Sequence, residues 1–178
     1  MKLLYTVLFL LSSSVLKAQS NAFTVTMAGI GDIKLGMKKA DLEKLINQTV
    51  NLPHLATKNE DYYQDTVHVN YKGLEADVIF QKEYSDENKF NIVVWEVRSN
   101  ASQLKTKSGI GIGDDKIKIV TTYPDFTIWL MPEYEKDYTV KSKTKSTVWL
   151  HGDNGGVIIF YLENGKITGM SVTYNEGC

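Results

Sequence analysis

The chain has 178 residues, of which 43% are hydrophobic and 23% charged, and its 20 Lys+Arg against 21 Asp+Glu leave a net charge of −1. Nucleic-acid binding needs a clustered positive face, which this balance does not supply, so no nucleic-acid partner is expected. The single cysteine, Cys178, cannot form an intramolecular disulfide, so the fold must rest on its apolar core.

The first stretch, "MKLLYTVLFLLSSSVLKAQS", sets Lys2 before an apolar run from Leu3 to Leu11, then Ser12 to Ser14, then "LKA" ahead of Gln19. That order is the pattern of a secretory signal peptide, expected to occupy residues 1–18. Its apolar core is too short to span a bilayer, which takes roughly 20 apolar residues. Gln19 stands where a lipoprotein would need its lipid-bearing cysteine. The expected product is periplasmic or secreted, with neither a membrane span nor a lipid anchor.

Next comes "GIGDIKLGMKKADLEKLI", Gly29 to Ile46, in which Leu42, Leu45 and Ile46 share one face of a predicted helix and Gly36 permits a sharp turn into it. Alternating segments follow: "TVHVNY", "ADVIFQ" and "NIVVWEV". The polar stretch "SNASQLKTK", Ser99 to Lys107, reads as a linker. A worn copy of the first helix then appears as "GIGIGDDKIKIVTTYP", with Asp114 or Asp115 as its cap and Pro124 as its stop. Superposing Gly36 on Gly113 pairs Ile33 with Ile110, Leu35 with Ile112 and Leu42 with Ile119.

Further strands read as "FTIWLM", "STVWLHG", "VIIFYLE" and "ITGMSV", with "KSKTKS" at Lys141 to Ser146 as a solvated hairpin loop. The Asn-Gly pairs in "DNGG" and "ENG" signal type I′ hairpins. "ADVIFQ" and "NIVVWEV" match "GVIIFY" and "KITGMSV" in the same order, so an internal duplication is expected. The predicted fold class is α+β, with two tandem modules, 22–103 and 104–178, each a short helical segment packed on an antiparallel β-meander.

Period 2 assigns Val78, Phe80, Val93, Trp95 and Val97, with Ile158, Phe160, Leu162, Met170 and Val172, to the face beneath the helices. The opposite set contains Ile79, Gln81, Val94, Glu96 and Arg98, then Trp149, His151, Ile159, Tyr161, Ser171 and Thr173. An open antiparallel sheet face would normally be plainly polar, and this one mixes aromatic, aliphatic and polar groups. Trp and Tyr dominate binding hot spots, so the set suits recognition; cover by the other half-sheet or a loop would suit it equally. The segment Tyr123 to Tyr138 adds Phe126, Trp129, Tyr134 and Tyr138, read as a strand with a contact loop or a plain polar one.

The inventory for chemistry is thin. His54, His68 and His151 show no metal-ligand spacing, no Gly-x-Ser-x-Gly elbow occurs, and "GIGIGD" lacks the third glycine and the preceding strand of a dinucleotide loop. No catalytic residue, metal or cofactor is expected. Asn47-Gln48-Thr49 and Asn100-Ala101-Ser102 match glycosylation acceptors, a pattern common by chance.

The pattern "IKLGMKKADLEKLI", apolar-x-apolar-Gly-Met leading into an amphipathic helix and followed by a meander, resembles the beta-lactamase inhibitory protein (BLIP) and BamE/SmpA-like superfamily. The tandem arrangement is more similar to the BLIP type, in which two modules side by side offer a sheet surface that grips an enzyme. The resemblance implies an exported, non-catalytic binding protein for an envelope or extracellular protein, with an inhibitor or immunity role against a secreted hydrolase. The candidate partner-binding residues are Glu96, Trp129, Tyr134, Trp149, His151, Ile159 and Tyr161. The alternative is a small-molecule or glycan-binding module that stacks rings on the same aromatics.

Overall fold

A computed structural model of the protein describes residues 23–57, 63–84, 90–135, 139–153 and 155–175. The expected signal peptide, Tyr138, Asn154 of the first Asn-Gly pair and Cys178 lie outside the described residues. The chain begins with three short strands, β1 (Thr24–Thr26), β2 (Gly29–Ile30) and β3 (Ile33–Lys34), and two helices, α1 (Lys39–Ile46) and α2 (Pro53–Thr57). A meander of β4 (Asp65–Tyr71), β5 (Leu74–Tyr84) and β6 (Phe90–Ser99) follows. After β7 (Lys105–Thr106) and α3 (Lys116–Thr122) come four strands, β8 (Thr127–Tyr134), β9 (Lys141–His151), β10 (Gly156–Glu163) and β11 (Lys166–Tyr174).

The two meanders do not stand apart. β6 pairs antiparallel with β11, with Val97 opposite Val172 and Arg98 opposite Ser171. The result is one seven-stranded antiparallel sheet of order β4-β5-β6-β11-β10-β9-β8. A second sheet, β3-β2-β1-β7, packs β2 and β3 against the inner face of β6 and β11. Between them lies one apolar cluster drawn from both halves of the chain. It includes Ile33, Leu42, Phe80 and Val97 from the first and Ile110, Ile119, Phe160 and Val172 from the second.

The expectation of an α+β pair of helix-on-meander modules is overturned. Among the described residues the chain is mostly strand, and its three helices have only eight, five and seven residues. Such lengths lie below what sustains a helix by itself, and α3 is rich in β-branched residues, so each survives only by packing on the sheet. The first glycine-rich stretch, read as a lead into a helix, also supplies β2 and β3 of the second sheet, and Gly111 of the other bridges to Lys105 of β7. The predicted linker belongs to that sheet: Lys105 and Thr106 run parallel to Thr24 and Val25, and Leu104 and Thr106 are buried. "KSKTKS" is also corrected, because Lys141–Lys145 begins β9 and is not a loop.

The matched stretches nevertheless fold alike. Gly36 and Gly113 both take positive φ, 72° and 87°, where a side chain would strain the backbone. The Gly36 N–H donates to the Val94 carbonyl, and the Val94 N–H donates back to Met37; Gly113, Ile167 and Asp114 repeat this exchange. Each acceptor strand carries a bulge next to that point, at Trp95 in β6 and Thr168 in β11. The bulge frees one residue from the ladder and turns the strand toward the helix lead. Asp115 caps α3 by accepting from the Lys118 N–H at 2.9 Å.

The Trp95 bulge changes one sequence expectation. Because Ile79 opposes Glu96 and Phe80 opposes Val94, Val94 falls on the inner face with Phe80, and Val93 falls opposite Gln81 on the other. An unbroken period of 2 assigns them the other way round, since one extra residue exchanges the faces beyond it. Trp95 itself packs on Tyr174, with ring centroids 4.8 Å apart.

Candidate functional site

The register of the seven strands builds a single row across the outer face. Cross-strand partners run His68–Asp77–Arg98–Ser171–Ile159–Trp149–Trp129, one residue from each strand, β4 to β8. With neighbouring strands about 4.8 Å apart, six spacings span roughly 29 Å. Flanking rows add Ile79, Glu96, Thr173, Val157 and His151 on one side and Tyr161, Thr147 and Met131 on the other.

Burial divides the row in three. Ser171 and Ile159, at its middle, are 0% and 6% exposed, whereas Trp129 at one end is 45% exposed. At the β4 end the His68 and Asp77 side chains are largely exposed and 3.0 Å apart. The outer face therefore has a buried floor with a charged shoulder on one side and an aromatic shoulder on the other.

The charged shoulder is fixed by its own contacts. Arg98 Nε and Nη2 both donate to Glu96 Oε1, at 3.1 and 2.9 Å. The guanidinium also lies 5.1 Å from the centroid of the Tyr161 ring, a cation–π distance. Burial disfavours the charged guanidinium, but Tyr161, Glu96 and Asp77 outweigh it and hold Arg98 above its ordinary pKa. Burial pushes the Tyr161 phenol up; its hydroxyl is 3.3 Å from that of Ser171. This side of the row holds its cation in one place.

On the aromatic shoulder, Trp149 and Trp129 are direct cross-strand partners. Trp149 Nε1 donates to Thr147 Oγ1 at 3.0 Å, which fixes the indole. The His151 ring lies 4.3 Å from that of Trp129 and stacks on that of Trp149 at 6.4 Å. Its Nε2 is buried without a hydrogen-bond partner among the described residues.

Six of the seven candidate residues, Glu96, Trp129, Trp149, His151, Ile159 and Tyr161, thus share the outer face. Ile159 is buried in its floor, so it supports the surface more than it presents one. Tyr134 lies beyond the register shift that follows Pro132, opposite Lys141, and is outside the row. His68, Asp77 and Arg98 complete the row but were not candidates. Alternation gives the side of each residue, but only the β6–β11 register shows that these three continue the Trp149 line.

His68 and His151 sit five strand spacings apart, roughly 24 Å, and the partners of Ser171 across its strands are Arg98 and Ile159. No histidine is therefore paired with a nucleophile in this row. Among the described residues, no group of three His, Cys, Asp or Glu side chains could hold a metal ion. A concavity of about 1300 Å³ lies along the small sheet, lined in part by Thr24, Lys34, Ser102 and Lys105, and takes in no residue of the row. No helix among the described residues is long and apolar enough to cross a membrane. Comparison with family models, curated proteins and solved structures finds no match to this chain.

Proposed function

We propose that the chain is an exported, non-catalytic binding protein of BLIP-like organisation, whose outer sheet face engages a protein in the envelope or outside the cell. The observation that carries this reading is the unbroken row of seven residues from His68 to Trp129. A 29 Å row exceeds a small ligand and matches the footprint of a protein interface, which buries roughly 800 Å² on each partner. Exposed tryptophan beside a buried floor is also the composition of a binding hot spot. The mirrored hydrogen bonds at Gly36 and Gly113 support an internal repeat within that single sheet. An inhibitor or immunity role against a secreted hydrolase fits a rigid face of this kind.

The test is capture of a partner from an envelope extract by the wild-type chain, by Trp149→Ala and by Trp149→Ala/Tyr161→Ala, each checked for folding by circular dichroism. The expected result is a partner whose affinity falls at least tenfold in the double variant. Equal capture by all three would remove the face from consideration. A ring-bearing sugar that raises the melting temperature of the wild type but not of Trp149→Ala would favour the glycan alternative.

A further inference from the structure

We propose a second binding element on the free edge of β8, which would accept an extended segment of a partner protein as an eighth strand, its apolar residues flanked by Lys or Arg. Among the described residues, β8 pairs only with β9. The backbone groups facing outward follow from the ladder. Asn164 donates to the Thr144 carbonyl and Gly152 to that of Gly156, so even-numbered β9 residues form the hydrogen-bonded pairs with β10. Odd-numbered ones then turn to β8, because the two kinds of pair alternate along an antiparallel strand. Thr127, Trp129 and Met131 therefore spend their backbone groups on β9, and Ile128 and Leu130 direct theirs to the free edge.

Pro132 has the same parity, so its missing N–H costs the sheet nothing, and with the register shift beside it Pro132 ends the open edge. What remains is Thr127 to Met131. Trp129, Leu130 and Met131 are 45%, 55% and 43% exposed, on alternate faces, so an added strand would cover apolar groups on both. Natural edges usually carry charge within such a stretch, and this one does not.

Charge identifies the occupant. From Ile119 to Glu135 the chain has three acids, Asp125, Glu133 and Glu135, and no Lys or Arg. Self-pairing about Trp129 would bring Asp125 of one copy near Glu133 of the other just beyond both ends of the shared edge, and like charges there oppose it. Basic residues at those places would instead be attracted. Main-chain bonds supply affinity in strand addition, and the flanks supply selection. This site uses the edge and stands whether or not the outer face binds anything.

The probe is a fluorescein-labelled peptide of alternating valine and threonine with two lysines at each end, titrated into the full chain and followed by anisotropy. Binding is expected, at least tenfold tighter than that of the same peptide with glutamate ends, and the gap should narrow as salt rises. N-methylation of alternate valines, or Leu130→Pro, should each weaken binding at least tenfold, while Asn70→Ala, on the exposed side of β4 at the far end of the sheet, leaves it unchanged. The proposal is overturned if the N-methylated or glutamate-ended peptide binds as well, or if Asn70→Ala loses as much as Leu130→Pro. It is also overturned if sedimentation shows a dimer of the chain that Leu130→Pro dissolves.

Discussion

At one end of the large sheet, β4 is held from behind by α1 and α2, its residue Asp65 is buried under the start of α2, and its outer face carries the His68–Asp77 pair. At the other end, β8 has no neighbour beyond β9 among the described residues and exposes Trp129, Leu130 and Met131. One sheet thus has a braced edge and an open one. The first end is tied to helices and holds Asp65 and His68 in side-chain bonds; at the second, exposed apolar groups lie beside outward-facing backbone with no helix behind them.

If the two ends share one core, a large cavity near either should unfold both. Phe80 and Phe160 are each fully buried, in β5 and β10, on opposite sides of the β6–β11 seam. Each Phe→Ala change is expected to cost about 3–5 kcal/mol, leaving a single transition in which far-ultraviolet signal and tryptophan fluorescence melt together. Two separated transitions would break the comparison at its root, because the halves would then be independent units.

The braced end is next in size. The Asp65 side chain is almost fully buried and accepts from the backbone N–H groups of His54 and Leu55 and from His54 Nδ1, the last at 2.7 Å. Burial alone would raise this carboxyl, but the donors prevail and hold it below the ordinary carboxylate range. A carboxyl lowered in the folded state stabilises fully above its unfolded pKa, near 3.9, and that contribution disappears as pH falls through the folded value. Asp65→Asn is expected to cost about 1–3 kcal/mol at pH 7, since it leaves the buried donors poorly paired. Urea melts at a series of pH values should show the variant and wild type converging below about pH 4.

Much of this architecture is legible in the chain, and the parts that are not have physical reasons. Gly36 and Gly113 mark the two helix leads because only a residue without a side chain takes that φ cheaply, and Asn164-Gly165 gives its turn away through two positive φ values. Lys72-Gly73 makes the same turn, with φ of 53° and 82°, but lysine is a weak signal for it. The β6–β11 seam is invisible because no local pattern encodes which distant strands pair. Trp95 and Thr168 are invisible as bulges for a related reason: the extra residue is set by the helix lead docking on the strand. The outer-face set keeps its side except at Val94, because period 2 holds wherever no bulge intervenes.

The repeated helix leads allow a sharper comparison. A side-chain carbon on Gly36 would come 2.7 Å from the Tyr174 hydroxyl, whereas one on Gly113 would meet nothing within 4 Å. Both changes to Ala incur the left-handed backbone cost of about 1–2 kcal/mol. Gly36→Ala must also displace Tyr174, whose ring packs on Trp95. The expected order of melting temperatures is wild type, Gly113→Ala, then Gly36→Ala, with Trp95 fluorescence altered only in the last.

Smallest of all should be the response to change at the open edge. Leu130 is 55% exposed, and its backbone groups face away from β9, so neither packing nor the ladder depends heavily on it. Leu130→Lys should shift stability by no more than about 0.5 kcal/mol, as substitutions away from buried features usually do. Its N–H stays in place, so any loss of strand addition measured with the lysine-ended peptide would come from the added charge and the lost apolar cover. A cost above about 2 kcal/mol in a urea melt, the scale of filling or emptying a core site, would mean that Leu130 is packed in the folded chain. The edge would then be closed, and the contrast between the two ends of the sheet would disappear with it.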